Sequence, residues 1–480
     1  MQPYEYTQHD ALALSALLYR GQVSARELMV CAIELARQRA TPLNALCYER
    51  YEESLELTAH AQLRGAFGAL PFLLKDSSLA AKRFPYSLGS RIFGDLQTNF
   101  DATLVSRFSA AGLIPFARTT APELCMAPTT EAVRNHGPTL NPWDPTRSAG
   151  GSSGGAAVAV ATGTVPMAHG SDGGGSIRIP AACCGIYGLK PSRGRLPMGP
   201  ARGEGWGGLS VDGVLSRTVR DTAAALDATA GYEPGAPYAA PGAPPSYLKL
   251  LSEPRERPLR IGRWLSAWEG IPVASECLRA TEFAAQLMRS AGHDVIEMSL
   301  PQIDYWKFIE AHLQVLAASI VVAVNAVVQN RPAPEWQHLL EPAMFDGYKF
   351  GTTLRADQYV RAINLFHTVG RTLERHMERV DVILTPTLTQ LPSKLGELSM
   401  NDEFQPFRRK VARYTMYLAI INASGQPAAN VPIYWTDQGL PVGIQLIGHF
   451  GREDQVLALS AELEAAAPWR TRGFPHQQTR

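Results

Sequence analysis

Short apolar runs alternate with helical segments along the chain, and this alternation restricts the fold more than any other sequence feature. The run in GALPFLLKDSS predicts a buried strand that ends at Lys75. Asp101 then favours a helix start, Gly112 a helix stop, and LIPFART the next strand. Further strands are predicted in TVPMAHGS, LRIGRW, DVIEMSL, DVILTPTL and PVGIQLIGH. This order predicts an α/β fold with one large mixed, mainly parallel β-sheet covered by helices on both faces.

The chain is expected to form a single domain over residues 1–480. Its opening is helical, because Ser24 and Glu27 have the spacing of a capping box. The predicted segments are a helical start (1–65), a core with the glycine-rich loops (66–230), a Pro/Gly-rich connection (231–256), a helical pocket or lid region (300–375) and a C-terminal closure of the sheet (376–480).

Composition excludes several classes of partner. With 45 Lys and Arg against 44 Asp and Glu, the chain has a formal charge of +1, so we expect neither nucleic acid nor a membrane surface as a partner. No run approaches the roughly 20 apolar residues of a membrane span. The N-terminal residues lack the pattern of an export signal, and six cysteines show no zinc-site spacing. We therefore expect a cytoplasmic protein without a metal or another cofactor.

Residues 147–163, RSAGGSSGGAAVAVATG, contain the pattern GxSxG twice, at Ser152 and at Ser153. In esterases of the lipase fold, this pattern marks a nucleophilic serine on a sharp turn after a strand. The preceding NPWDPTRSA has the composition of a loop, which disfavours that interpretation. A flexible linker is also disfavoured, because an apolar stretch follows directly.

A second glycine-rich loop lies in GSDGGGSIRIPAACCGIYGLKPSRG, residues 170–194. Three consecutive glycines, Gly173 to Gly175, allow backbone N–H groups to point at one anion, and Ser176 follows them. The anion could be a phosphate or the oxyanion formed when a serine attacks an acyl carbon. The lysine of a phosphate-binding loop is missing, which favours the oxyanion.

Together these blocks resemble the amidase signature family over roughly residues 10–470. The resemblance extends to DATLVSRFSAAGLIPFARTTAPEL, GPTLNPWDPTRSAGGSSGG, DVILTPTL and GQPAANVPIYWTDQGLPVGIQLIG. It implies a Ser-cisSer-Lys triad in which Ser176 is the nucleophile, Ser152 the relay after a cis peptide bond, and Lys75 the base. It also implies an oxyanion hole formed by the N–H groups of Gly173, Gly174, Gly175 and Ser176.

The resemblance implies a cofactor-independent amidase that forms an acyl-enzyme. Gly173 stands where many family members have threonine. In this respect the chain resembles the branch of nylon-oligomer hydrolases, aryl acylamidases and urethanases. Expected substrates are neutral, mostly apolar small-molecule amides or carbamates. The expected substrate-binding residues are Cys125, Met126, Ala127 and Thr129, opposite a helical wall with Trp306, Phe308, Leu313, Leu316 and Ile320.

An alternative function is that of the glutaminase-like component of a tRNA-dependent amidotransferase. Its activity would depend on partner subunits, whereas an independent amidase works without them. The sequence leaves the oligomeric state open, a homodimer included.

Overall fold

Within residues 1–253, 255, 257–329 and 331–473, which the computed structural model describes, two β-sheets are surrounded by α-helices. The strands are β1 (Leu46–Cys47), β2 (Leu70–Lys75), β3 (Leu113–Thr119), β4 (Met167–Asp172), β5 (Tyr187–Lys190), β6 (Val211–Ser216), β7 (Arg260–Arg263), β8 (Asp294–Glu297), β9 (Val382–Pro386), β10 (Ala428–Trp435) and β11 (Pro441–Gly448). The helices are α1 (Pro3–Gln8), α2 (Ala11–Tyr19), α3 (Ala25–Leu35), α4 (Tyr51–Ala59), α5 (Thr103–Ala110), α6 (Gly154–Ala161), α7 (Arg178–Cys184), α8 (Val219–Thr229), α9 (Tyr247–Leu250), α10 (Ser275–Ser290), α11 (Tyr305–Val328), α12 (Pro342–Thr352), α13 (Ala356–Met377), α14 (Phe404–Tyr414), α15 (Ala419–Ser424) and α16 (Glu453–Ala466).

The strand directions differ from the expected mainly parallel sheet. The large sheet has the order β4-β6-β5-β10-β11-β9-β7-β8, and its neighbours are antiparallel from β4 to β9. Only β9, β7 and β8 run parallel to one another. A separate small sheet, β1-β3-β2, pairs β2 parallel to β3, and β2 packs against β4 of the large sheet. The mixed α/β class is confirmed, with two sheets in which antiparallel pairs predominate.

Helices cover both faces of the large sheet, as the sequence predicts. Along β9, Val382 and Leu384 belong to the apolar cluster formed with α8, α10 and α16, whereas Ile383 belongs to the cluster formed with α11 to α15. Successive side chains of a strand point to opposite faces, so this alternation places one helical layer on each side. A third cluster joins the N-terminal helices to β2, β3 and α6.

Local signals place several elements correctly. The strands β2 and β3 have the predicted positions, and Ser24 and Glu27 form the capping box of α3. The prediction for Asp101 is wrong: α5 begins at Thr103 after Ala102, and the Asp101 carboxylate accepts a hydrogen bond of 2.8 Å from the Lys82 N–H. The Asp101 side chain therefore stabilises the neighbouring loop at Lys82.

The helix α11 corrects the expectation that no segment is long and apolar enough to span a membrane. Its 24 residues include a window of mean hydropathy 2.0, and half of that window is buried inside the protein. It packs against α12, α13 and α14, with Phe308, Val315 and Ile320 fully buried. These contacts are those of a core helix in a globular protein.

The predicted segments 231–256 and 376–480 include residues 254, 256 and 474–480, which lie outside the described residues. Residues 232–246 form neither helix nor strand and are mostly exposed. The division of the chain into segments stays a prediction.

Candidate active site

Lys75, the last residue of β2, is fully buried where the small sheet meets the large one. Its Nζ lies 2.7 Å from Ser152 Oγ and 2.9 Å from Ser171 Oγ. Its backbone N–H donates to His169 Nδ1 on β4 at 3.2 Å. The structure thus joins the predicted lysine directly to the predicted relay serine.

Burial lowers the pKa of Lys75 below the ordinary lysine value. The carboxylates of Asp212, Asp172 and Asp76 oppose this shift, because negative charge favours the ammonium form. Burial prevails, so the neutral amine is favoured more than in a lysine on the surface.

The loop that carries Ser152 is held close to neighbouring backbone. The peptide bond between Gly151 and Ser152 is cis, as the resemblance implies. A Cβ on Gly151 would lie 2.2 Å from the Thr129 carbonyl oxygen, so a larger residue does not fit there. Residues 141–153 form no strand, which removes the strand that a lipase-type turn requires at Ser152.

The second glycine-rich loop arches over the buried Asp172 carboxylate. The N–H groups of Gly175 and Ile177 donate to Asp172 at 2.8 and 3.1 Å, and Arg178 donates to both of its carboxylate oxygens at 2.9 and 3.0 Å. Burial would raise the pKa of Asp172, but the charge and hydrogen bonds of Arg178 hold it below its ordinary value. The loop conformation, and with it Ser176, depends on this ion pair.

These contacts correct one predicted oxyanion donor. The Gly175 N–H is bonded to Asp172, so it cannot serve a substrate oxygen without losing that bond. The N–H groups of Gly173, Gly174 and Ser176 bond to none of the described residues. Three of the four predicted donors therefore remain available.

Ser176 lines a narrow cavity of about 30 Å³. The cavity walls are Cys125, Met126, Ala127, Pro128, Gly173, Gly174, Ser176, Ile179, Trp206, His312, Leu316, Arg408 and Val411. Three of the four predicted substrate-binding residues are among them. Thr129 is not: it is buried behind the cavity, where its Oγ1 donates to the Leu398 carbonyl at 3.4 Å.

The predicted helical wall is correct only in part. Leu316 lines this cavity and Leu313 an adjacent one. Trp306, Phe308 and Ile320 line neither cavity, because they pack into the cluster of α11 to α15.

Sequence reasoning missed five polar residues near the site, one of which is Ser171, whose Oγ contacts Lys75 Nζ. His169 Nε2 lies 3.2 Å from Asp212 Oδ1, and burial lowers the pKa of His169, which favours a neutral ring that donates to Asp212. His312 and Arg408 contribute polar groups to a wall that was expected to be apolar. His169 lies two residues before Ser171 on a predicted strand, but Asp212, His312 and Arg408 lie in distant segments with no local signal.

Comparison with known proteins gives the family of the chain. The sequence model described as Amidase matches residues 28–457. The chain therefore belongs to the amidase family, and it is a hydrolase of carbon–nitrogen bonds.

The similar proteins include hydrolases of the 6-aminohexanoate cyclic dimer. The chain is 31% identical to 6-aminohexanoate-cyclic-dimer hydrolase of Pseudomonas sp. (strain NK87), covering 96% of each chain. A solved structure of 6-aminohexanoate cyclic dimer hydrolase superposes with a TM-score of 0.91 at 29% identity, covering 98% of this chain and 99% of that one. A bacterial aryl acylamidase structure gives 0.86 at 28% identity, covering 96% of each. These similarities confirm the predicted α/β class and two of the predicted relatives.

Proposed function

We propose that the protein hydrolyses small-molecule amides through Ser176 as nucleophile, Ser152 as relay and Lys75 as base. The observation that carries the proposal is the contact of 2.7 Å between the buried Lys75 amine and Ser152 Oγ, beside the loop that presents Ser176 to a cavity. The two loops are joined by a hydrogen bond of 3.3 Å from the Ser153 N–H to the Ser176 carbonyl. Ser176 Oγ bonds to none of the described residues, and the proposed proton transfer requires it to approach Ser152 Oγ.

The reaction begins when the neutral Lys75 amine accepts the Ser152 hydroxyl proton as Ser152 accepts that of Ser176. Ser176 Oγ forms a bond to the amide carbon, and the carbonyl oxygen becomes an oxyanion bound by the N–H groups of Gly173, Gly174 and Ser176. The carbon–nitrogen bond then breaks, and the amine leaves with the proton returned through Ser152. Water hydrolyses the acyl-enzyme by the same proton path.

The narrow cavity, whose mostly apolar wall also contains Arg408, favours small-molecule amides, with anilide and carbamate bonds accepted. A carbamate presents the same planar carbonyl to Ser176 and forms the same oxyanion, so no further catalytic group is required. The proposed reaction uses neither a metal nor an organic cofactor.

The glutaminase-like component of a tRNA-dependent amidotransferase is the alternative. A glutamyl-tRNA(Gln) amidotransferase structure from Thermotoga maritima superposes with a TM-score of 0.75, but at 23% identity this likeness concerns the fold alone. Among the described residues, no carboxylate lines the cavity beside Ser176 to receive the ammonium group of glutamine, which favours the independent amidase.

Replacement of the triad residues tests the proposal. Ser176→Ala, Lys75→Ala and Ser152→Ala should each reduce hydrolysis of a 4-nitroanilide by at least about 10³-fold, and a double variant should lose little more, because the residues act as a unit. The matched controls are Ser106→Ala and Lys82→Ala, which alter exposed side chains. Near-normal turnover in Ser176→Ala would refute the assignment.

Trapping the intermediate gives an independent readout. An aryl carbamate that deacylates slowly should add the mass of its carbamoyl group to the peptide that contains Ser176. A label on another serine, such as Ser152, would contradict the proposed roles.

A further inference from the structure

Two buried polar side chains, His312 on α11 and Arg408 on α14, line the cavity beside Ser176. They are 3% and 9% exposed. Polar groups at such depth are normally hydrogen-bonded, because an unpaired buried donor or charge is costly. Each of these side chains has one buried nitrogen, Nε of Arg408 and Nε2 of His312, that lacks a partner among the described residues.

Arg408 has no carboxylate partner among the described residues. Its Nη1 donates to the Met126 carbonyl at 2.9 Å, and its buried Nε has no hydrogen-bond partner in the described chain. Two other buried arginines, Arg178 and Arg195, pair with the carboxylates of Asp172 and Glu453, each at 2.9 Å. Arg118 is also buried without a carboxylate partner among the described residues, but it donates to three backbone carbonyls, those of Lys75, Leu79 and Phe84. Burial lowers the pKa of Arg408 to about 10, which leaves it a cation at neutral pH.

His312 provides a second group with no partner. Its Nε2 is buried and bonds to none of the described residues. Its ring stacks on Phe308, with centroids 6.0 Å apart, and its Cε1 lies 3.8 Å from the position that a Cβ on Gly174 would occupy. Burial and the charge of Arg408 lower the pKa of His312 to about 3, so the ring is neutral.

A second, smaller cavity of about 10 Å³ lies against the same two residues. The two cavities share Gly174, His312, Arg408 and Val411. The wall of the second cavity also includes the buried residues Tyr305 and Thr415. The acyl group stays bound while the amine leaves and water enters, and an acyl group on Ser176 would lie in the first cavity, whose wall includes His312 and Arg408.

We propose that Arg408, assisted by His312, binds a second acceptor oxygen on the acyl half of the substrate, either a carbonyl or a carboxylate. An acceptor there would supply the partner that the buried guanidinium lacks, and a hydrogen bond to a charged group is stronger than one between neutral groups. The inference deepens the proposed function, since it rests on an acyl group bound to Ser176. The preferred substrates are then amides of acids that carry a further carbonyl or carboxylate, as an oligoamide does.

The test compares three 4-nitroanilides of equal chain length: pentanoyl, glutaramoyl and glutaryl. The wild-type protein should prefer one or both of the acceptor-bearing anilides. Arg408→Met should lower kcat/KM for them by roughly 10- to 100-fold relative to the pentanoyl anilide. Arg409→Met, on the exposed face of the same helix, should leave the ratio unchanged. A preference for the glutaryl anilide alone identifies the acceptor as a carboxylate, and a shared preference identifies a carbonyl.

Binding measurements keep this inference separate from the proposed function. Calorimetry with glutarate, glutaramate and pentanoate requires no turnover, and Arg408→Lys and His312→Phe serve if Arg408→Met does not fold. Acceptor-bearing acids should bind more tightly than pentanoate to the wild-type protein, and Arg408→Lys should retain part of that advantage. Equal binding of all three acids overturns the inference, whereas hydrolysis of no anilide, with this binding intact, overturns the proposed function alone.

Discussion

Lys75 illustrates how one side chain acquires an unusual state from its position. On a solvated surface its amine would be an ammonium ion, whereas at the end of a fully buried strand its pKa is lowered. A neutral amine has a lone pair that can accept the proton of a serine hydroxyl only 2.7 Å away. In the proposed mechanism, the neutral amine that acts as the base is therefore a consequence of burial.

The pH profile of the reaction should follow this amine. Activity requires the neutral form, so kcat/KM on an uncharged anilide should rise with pH as one proton is lost. Since burial lowers the Lys75 pKa, the midpoint should lie below about 10.4, the unperturbed value for lysine. The measurement is kcat/KM from acidic to alkaline pH.

The variant Asp212→Asn provides a second test of whether the pH profile follows the titration of Lys75. The Asp212 carboxylate raises the Lys75 pKa, so its removal should move the rising limb to lower pH. The most strongly shifted buried lysines titrate at about 5 to 6. Full activity persisting at about pH 4 would show that the base is not a lysine.

At the scale of secondary-structure elements, local signals allowed only part of the fold to be predicted. The strands β2 and β3 are continuous apolar runs, and α3 has its capping box within four residues, so short windows suffice for them. The strands β5, β6 and β10 were missed as separate elements, and the prevailing antiparallel pairing was not anticipated. Strand direction depends on the path by which the chain returns to the sheet, and a short stretch of sequence does not determine that path.

The same limit applies to the candidate site. Ser152 and Ser176 lie in glycine-rich loops whose order in the chain is distinctive, and Lys75 ends a recognisable strand. Arg408 and His312 lie on helices as ordinary-looking residues, and only tertiary packing brings both beside Gly174. Gly175 shows the opposite case. The sequence pattern predicts that its N–H group binds an oxyanion, but in the fold this N–H donates to the Asp172 carboxylate.

The turn between β4 and α7 should depend on the Asp172–Arg178 pair for its stability. Asp172→Asn leaves the fully buried Arg178 without a counter-charge and should lower the free energy of unfolding by about 3–5 kcal/mol. Urea unfolding measures the change. Asp357→Asn is the control, because its partners Arg355 and Arg361 are exposed, and no measurable change is expected there. A comparably small effect at Asp172 would mean that the ion pair does not hold the loop.

At the scale of the whole molecule, the cavity should select among complete substrates. We expect catalytic efficiency on an aryl amide or an aryl carbamate to exceed that on glutamine. Glutamine brings an ammonium group into a cavity whose lining residues contain no carboxylate. Parallel steady-state assays of the three compounds measure this preference. A strong preference for glutamine would favour the amidotransferase alternative.

The contact between the small sheet and the large sheet has a consequence for how the protein loses activity. Lys75 belongs to the small sheet, whereas its partners Ser171 and His169 belong to β4 of the large sheet. A shift between the sheets would separate these groups while leaving each sheet hydrogen-bonded within itself. Turnover should therefore disappear at a lower urea concentration than the circular dichroism of the backbone, and it should return last on refolding. Coincident transitions would show that the sheets separate only when the whole chain unfolds.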